Sequence, residues 1–198
     1  MRHLGDVTNI DGAKIEPVDC VTFGAPCQDL SVAGKRAGMK HEAVGDDETT
    51  RSGLFYEAVR IIKEMREEDE RNGRTDEFIR PRYALYENVP GALSSGKDEN
   101  GKPLKGEDFR CVLEALAQVI QEDAHIPRFE GGWSHTGSII LDHGSIAWRL
   151  HDAQYFGVPQ RRKRLAVLCD FNGFTAERLL LDPKLERTAE RAESDNAL

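Results

Sequence analysis

The sequence lacks any long apolar run. No segment approaches the roughly 20 consecutive apolar residues of a transmembrane helix, and the opening MRHLGDVTNIDG contains no apolar stretch typical of a signal peptide. We therefore expect no membrane association and a cytoplasmic location. With 198 residues, 39% of them hydrophobic and 31% charged, the chain is long enough for one domain with a buried core.

The sequence also has fewer basic residues than acidic residues. The chain has 27 Lys and Arg residues against 35 Asp and Glu residues, and its formal net charge is −8. This balance excludes a surface that is basic all over, as in proteins that coat nucleic acids. It still allows a basic patch confined to one cleft.

The four cysteines are few, and none of them forms a CxxC pair. Their spacings match neither a zinc ligand set nor the disulfide framework of a small secreted domain. We therefore predict no metal site, and we expect Cys20, Cys111 and Cys169 to be buried, reduced thiols of a cytosolic protein. Cys27 differs from them because of its local sequence.

Short apolar runs alternate with segments of helical periodicity. The predicted strands are 18–23, 83–86, 138–141, 146–151 and 164–169, and the predicted helices are 53–68 and 109–122, the second capped by Asp108. Because the strand runs are apolar throughout, they predict an α/β sheet with helices on both faces. The last three strands are close in sequence, so they should pair antiparallel at one side of the sheet.

Cys27 follows the first predicted strand at the Gly24-Ala25-Pro26 break. Ligands bind beyond the carboxyl ends of strands in such sheets, so this position suits a nucleophile. Attack requires a thiolate, which nearby cations favour. The candidate cations are Lys35, Arg36, Arg162 and Arg164. The alternative is a buried loop cysteine without a catalytic role.

Glu87 directly follows the second apolar strand, with Asn88 beside it. A carboxylate at a strand end in a pocket can donate a proton to a substrate. The alternative interpretations are a solvated acidic residue and a helix cap.

A basic run, Gln160–Arg164, precedes the last predicted strand. Alternating geometry places Gln160, Arg162 and Arg164 on one face. Guanidinium groups match the acceptor atoms of bases and phosphates. The alternative is a basic run that shields an edge strand.

The order of these three segments resembles the cytosine-C5 DNA methyltransferases, which act in restriction-modification. The carrying motifs are GAPCQDLS at 24–31, ENV at 87–89 and QxRxR at 160–164. Weaker matches are Gly5–Val7, Arg51–Phe55 and Trp148–Pro159, so that the resemblance covers about residues 4–172.

The resemblance implies a reaction on a cytosine flipped out of double-stranded DNA. Cys27 would bond to C6 of the base, while Glu87 would hold or protonate N3. Asn88 would orient Glu87, and Arg164, with Arg162, would hydrogen-bond O2. The activated C5 would then take a methyl group from S-adenosylmethionine.

The resemblance also implies binding residues. Asp6 would contact the adenine amine of S-adenosylmethionine, and Pro26 and Leu54 would line its pocket. Gln28, Ser31, Lys35 and Arg36 would belong to a mobile loop that contacts DNA.

The implied fold is a partial Rossmann-like methyltransferase sheet. Residues 1–174 would form a partial catalytic domain, and 175–198 a charged helical or disordered tail. Neither the family's FxGxGG cofactor motif nor its target-recognition domain is found in this sequence. We therefore expect strand 18–23 to be an unprotected edge and a complementary chain to supply the cofactor-binding half.

Other functions stay open at this point. A catalytically inactive DNA-binding remnant or an assembly subunit of a methyltransferase would keep the same motifs. Related enzymes can act on RNA cytosines. A cysteine hydrolase would pair Cys27 with a histidine, although no dyad is recognisable among His41, His125, His135, His143 and His151.

Overall fold

The computed structural model describes residues 3–25, 53–97, 102–157 and 159–181. They form a five-stranded sheet with the order β1-β2-β5-β4-β3. The strands are β1 (Cys20–Gly24), β2 (Tyr83–Asn88), β3 (Thr136–Ile140), β4 (Ser145–Asp152) and β5 (Lys163–Asp170). β1 pairs with β2 in parallel, whereas every other pair is antiparallel. The predicted antiparallel side of the sheet is thus confirmed.

Three α-helices accompany these strands in the described part of the chain: α1 (Gly53–Arg71), α2 (Glu107–Ile120) and α3 (Ala176–Leu181). The first two agree with the predicted helices to within a few residues. The predicted Asp108 cap is wrong, because Gly106, at φ 77°, takes the N-cap position and Asp108 is buried in the first turn. Within the described ranges no helix is long and apolar enough to cross a bilayer.

The main core lies between one sheet face and the helices α1 and α2. Tyr86 of β2 is fully buried and packs edge-to-face on Phe55 of α1, with ring centroids 5.2 Å apart. Phe109 of α2 packs in the same way on Trp148 of β4 at 5.6 Å. These aromatic pairs bury large apolar areas and set the helices against the central strands.

Helix α3 covers part of the opposite sheet face. Ala176 is fully buried, and its N–H donates to the Ser145 hydroxyl at 3.3 Å. The Ser138 hydroxyl donates to the Glu177 carboxylate at 2.9 Å. Helices therefore lie on both faces, as predicted, and residues 182–198 of the expected tail lie outside the described residues.

Strand β1 is the edge of the sheet that the described residues form, as expected from the sequence. Cys20, Thr22 and Gly24 are exposed, since no described element covers this end of the second face. The prediction that Cys20 is buried is therefore wrong. Cys111 and Cys169 are buried as predicted, and burial raises the pKa of Cys111 to about 11.

A buried carboxylate fixes the C-terminal end of β5. Asp170 is fully buried and accepts hydrogen bonds from Arg82 Nε at 2.9 Å and Nη2 at 3.0 Å. It also accepts from the backbone N–H and hydroxyl of Thr175. Burial raises the pKa of Asp170, but these hydrogen bonds outweigh it and hold the pKa below its ordinary value.

We expect Asp170→Asn to lower the free energy of unfolding by about 2–3 kcal/mol at pH 7, because Arg82 loses its buried partner. Because the pKa of Asp170 is lower in the folded state than in the unfolded state, its ionised form stabilises the fold at pH values above the unfolded pKa. This stabilisation is lost as the pH falls through the folded-state pKa. The difference from wild type should therefore shrink below about pH 4 in urea unfolding. Asp19→Asn is the control, since that side chain is 85% exposed, and it should change nothing measurable.

Candidate active site

Three predicted segments meet at one end of the sheet. The parallel register pairs Gly24 at the end of β1 with Glu87 near the end of β2. The antiparallel register pairs Asn88 with Leu165, close to the start of β5. Glu87 and Asn88 are the last two residues of β2, where the sequence had placed them just beyond the strand. The segment leading to Cys27, the ENV segment and the basic run therefore converge.

Glu87 and Arg164 form an ion pair across this end. Arg164 Nε lies 2.7 Å from Glu87 Oε1. Glu87 is paired with Ala166, and Arg164 precedes Ala166 by two residues, so both side chains stand on the same sheet face. Their side chains are 52% and 35% exposed, respectively, which keeps both charged groups accessible to a ligand. Two residues predicted to act on one substrate are thus brought together.

Gly24 allows the end of β1 to approach this pair. A Cβ atom at Gly24 would lie 3.3 Å from the Glu87 carbonyl oxygen and 3.4 Å from Glu87 Oε2. The glycine therefore leaves room for the carboxylate beside the strand end.

Asn88 ties β1 to β2. It is 5% exposed, and its Nδ2 donates to the carbonyl oxygen of Ala25 at 3.0 Å. The same Nδ2 is hydrogen-bonded to the Tyr86 hydroxyl, and Oδ1 accepts from the Val89 N–H at 2.7 Å. The amide thus holds the backbone two residues before Cys27 against the strand that carries Glu87.

Arg162 takes a different place from Arg164. Its backbone N–H donates to Asp152 Oδ1 at 3.1 Å, while its side chain is exposed. Among the described residues, the Arg162 side chain forms no ion pair with Glu87. The geometry therefore joins Arg164, and not Arg162, to the carboxylate.

Asp152 is a positioning residue that sequence reasoning missed. It is 7% exposed at the end of β4, and its carboxylate also accepts from the backbone and side-chain N–H groups of Gln154 at 3.4 and 3.2 Å. It therefore fastens the turn that leads into the basic run. The available signal was an acidic residue at the end of an apolar strand, the same signal that pointed to Glu87.

The basic run does not shield an edge strand. β5 lies between β2 and β4, at the centre of the sheet order. The edge-shielding alternative for Gln160–Arg164 is therefore wrong.

The predicted cofactor residues Asp6 and Leu54 lie on elements that pack together. Asp6 is exposed, and hydrogen bonds from the backbone and hydroxyl of Thr8, both to Oδ1, hold its pKa below the usual value. Leu54 is half-buried in the first turn of α1. Arg60 of the same helix donates to the Ile10 carbonyl oxygen at 3.0 Å and holds the N-terminal segment against α1.

The remaining predicted site residues are Pro26, Cys27, Gln28, Ser31, Lys35 and Arg36, and they lie outside the described residues.

The known proteins to which this chain is similar are methyltransferases. The family model of the C-5 cytosine-specific DNA methylases matches residues 2–118. The DNA N-6-adenine-methyltransferase of Escherichia phage P1 is 32% identical over 185 residues, covering 85% of this chain and 22% of the relative. The type II methyltransferase M.BsuFI of Bacillus subtilis is 27% identical over 164 residues, covering 83% of this chain and 27% of the relative.

A solved structure, the Dnmt2 methyltransferase of S. pombe, is similar with a TM-score of 0.43 and 14% identity, covering 92% of this chain and 41% of that one. The chain spans about a quarter of the length of the curated relatives it matches.

We expect the Glu87–Arg164 pair to contribute little to stability. Glu87→Gln and Arg164→Gln should each change the free energy of unfolding by less than about 1 kcal/mol, because both partners are solvated. Asn88→Ala should lower it by about 2 kcal/mol, since it removes buried hydrogen bonds. Urea unfolding of the three variants checks this contrast. If Glu87→Gln lowers the free energy of unfolding as much as Asn88→Ala does, the pair has a structural role.

Proposed function

We propose, since this chain belongs to the family of C-5 cytosine-specific DNA methylases, that it is the catalytic region of a DNA (cytosine-5-)-methyltransferase. The observation that carries the proposal is the 2.7 Å contact between Glu87 and Arg164 beside the end of β1. A carboxyl group and a guanidinium group at that place can bind adjacent polar atoms of a cytosine ring. The double-stranded DNA substrate would present that base flipped out of the helix.

Covalent geometry supports a nucleophile at the same place. Cys27 follows Ala25 by two residues, so its Cα lies within about 7 Å of the Ala25 Cα. Asn88 holds the Ala25 carbonyl, and Glu87 is the neighbour of Asn88 in β2. Sulfur, carboxyl and guanidinium groups can therefore surround one base.

Each group would have a defined step. The Cys27 thiolate forms a bond to C6, and the displaced electron pair moves into the ring, where Glu87 holds a proton at N3. Arg164 donates a hydrogen bond to O2 and stabilises the charge that develops there. S-adenosylmethionine, when bound, supplies an electrophilic methyl group for C5. Transfer of the C5 proton to a solvent water restores the C5–C6 double bond, and the S–C6 bond breaks with its electron pair returning to sulfur, which releases the Cys27 thiolate and 5-methylcytosine.

Two further residues would support these steps. Asn88 keeps the β1 end and Glu87 in register through its bond to Ala25. Arg162, whose side chain is exposed at the same sheet end, would join Arg164 at the base.

The cofactor assignment rests on the acceptor chemistry of Asp6. Its carboxylate is exposed, and both hydrogen bonds from Thr8 use Oδ1, so Oδ2 can accept an adenine amine. Leu54 lies on the helix that holds this segment, and Pro26 would add an apolar wall. On the DNA side, the resemblance assigns Gln28, Ser31, Lys35 and Arg36 to the loop that contacts the duplex.

The test uses duplex DNA carrying 5-fluorocytosine with saturating S-adenosylmethionine. A fluorine at C5 cannot leave as a proton, so the covalent protein–DNA adduct persists and is seen on a denaturing gel. We expect the adduct in wild type and its loss in Cys27→Ser. A second duplex carries 2-pyrimidinone, whose C6 accepts a thiolate without methyl transfer, so weak cofactor binding cannot hide the addition.

Cys20→Ser is the matched control, because Cys20 is an exposed thiol at the start of β1, seven residues before Cys27 in the sequence. It should form adduct at the wild-type level. Adduct formation that survives Cys27→Ser, or no adduct with either base analogue, would overturn the proposal. The analogues also separate cytosine from adenine methylation, since the N6 amine of adenine can attack a methyl donor without a thiolate.

We also propose a partner for the outer side of β1. Within the described ranges β1 pairs only with β2, while its residues Val21 and Phe23 pack on the core. Relatives of about three to four times this length carry further segments. A strand from the cofactor-binding part, in the same polypeptide or in a complementary chain, would complete the sheet at this edge.

The 198-residue chain alone should therefore bind S-adenosylmethionine weakly. Titration calorimetry should give little heat for the chain by itself, because Asp6, Pro26 and Leu54 would supply only part of a pocket. Tight, saturable binding by the isolated chain would contradict a need for the additional strand. Asp6→Asn serves as a control, since any specific heat should depend on that carboxylate.

A further inference from the structure

We propose that Tyr86 is a positioning residue of the candidate active site. Its buried hydroxyl group fixes the amide of Asn88, which in turn holds the Ala25 carbonyl at the end of β1. The inference rests on the proposed function, because it concerns the adduct reaction at that site. It adds a residue of the protein core that the sequence motifs do not include.

The side chain of Tyr86 points away from the Glu87–Arg164 pair. Strand alternation places Tyr86 and Asn88 on one face of β2 and Glu87 on the other. Tyr86 is fully buried and Asn88 is 5% exposed, whereas the Glu87 side chain is 52% exposed. Tyr86 can therefore influence the reaction only through the residues that it contacts.

Packing fixes the position of the Tyr86 ring. The ring packs edge-to-face on Phe55 of α1 at 5.2 Å, and it lies 5.3 Å from the Phe23 ring of β1, tilted by 42°. A tyrosine side chain has only two rotatable angles, so a ring held between two elements gives its hydroxyl oxygen a defined place. The oxygen is therefore a rigid hydrogen-bond acceptor.

The Asn88 amide uses both of its hydrogens. Nδ2 carries two hydrogens, and its two acceptors are the Ala25 carbonyl oxygen at 3.0 Å and the Tyr86 hydroxyl oxygen. Oδ1 accepts from the Val89 N–H at 2.7 Å. The hydroxyl oxygen therefore completes the hydrogen bonding of a buried amide and keeps that amide directed at the Ala25 carbonyl.

Loss of the Tyr86 hydroxyl would leave one Nδ2 hydrogen of Asn88 without its acceptor inside the core. A buried donor without a partner is costly, so the amide would turn toward another acceptor or water. Turning the amide weakens its bond to Ala25, which lies two residues before Cys27 in the sequence. The backbone that leads to the nucleophile would then be held less firmly against β2.

The test is the rate at which the 198-residue chain forms the Cys27 adduct on the 2-pyrimidinone duplex, followed over time on denaturing gels. Tyr86→Phe keeps the ring and removes only the hydroxyl. We expect it to form the adduct about tenfold more slowly, which corresponds to the loss of about one buried hydrogen bond. In an Asn88→Ala background the same substitution should change the rate less than about twofold, because the amide that it positions is gone.

Tyr83→Phe is the matched control. Tyr83 lies at the other end of β2, and its hydroxyl is hydrogen-bonded to the Thr175 hydroxyl at 3.1 Å. Because each substitution removes one hydrogen bond, both variants should unfold at lower urea concentration than wild type. Only Tyr86→Phe should slow adduct formation, and this contrast separates a positioning role from a purely structural one.

A second measurement follows the Asn88 amide itself. In ¹⁵N-labelled protein, both Nδ2 hydrogens should exchange slowly with solvent, since they are buried and hydrogen-bonded. In Tyr86→Phe at least one of them should exchange about tenfold faster. Tyr83→Phe should leave both exchange rates unchanged.

An equal loss of adduct rate in Tyr83→Phe, or unchanged exchange of the Asn88 amide in Tyr86→Phe, would overturn the inference. Failure of Tyr86→Phe to fold would also overturn it, because the hydroxyl would then serve the fold as a whole. An adduct that forms at the wild-type rate in Tyr86→Phe removes this inference and leaves the proposed function in place. The absence of any adduct with the wild-type chain removes both, so the two failures are distinguishable.

Discussion

Parallel pairing of β1 with β2 sets Gly24 beside Glu87, and antiparallel pairing of β2 with β5 sets Asn88 beside Leu165. Both registers depend on backbone hydrogen bonds, and a slip of one residue would turn each side chain to the other face. Glu87 would then point into the helices, and Asn88 would lose the Ala25 carbonyl. The placement of Glu87 and Asn88 thus depends on these two pairings.

The two ends of the central strands use charge in different ways. At one end, Asp170 is fully buried and saturated by Arg82 and Thr175, which suits a fixed structural joint. At the other end, Glu87 and Arg164 are joined by one contact and remain half-exposed. A weakly stabilising, solvated pair can exchange its partner for a substrate at small cost, whereas the buried cluster cannot. The stabilising cluster around Asp170 and the exposed Glu87–Arg164 pair therefore lie at opposite ends of the same strands.

Local signals predicted much of the fold, because short apolar runs and helical spacing depend only on neighbouring residues. All five strands and the first two helices lie within a few residues of where these signals place them, whereas the roles of Glu87 and Arg164 on one base came only from the family resemblance. Properties that depend on the pairing of strands distant in sequence were harder to predict from local patterns. Cys20 is exposed because no described element covers its face of β1, and Asp152 was missed because its partner Arg162 is fixed by the β4–β5 register.

We propose that this end of the sheet directs a thiolate to C6 of a base held by Glu87 and Arg164. The most direct measurement is the ¹³C spectrum of a duplex labelled at C6 of a single 2-pyrimidinone. On addition of wild-type protein the C6 signal should move from the olefinic to the aliphatic region, and it should stay olefinic with Cys27→Ser, Glu87→Gln or Arg164→Gln. An olefinic signal with wild type, or an aliphatic signal that persists in the Glu87 and Arg164 variants, would contradict the account.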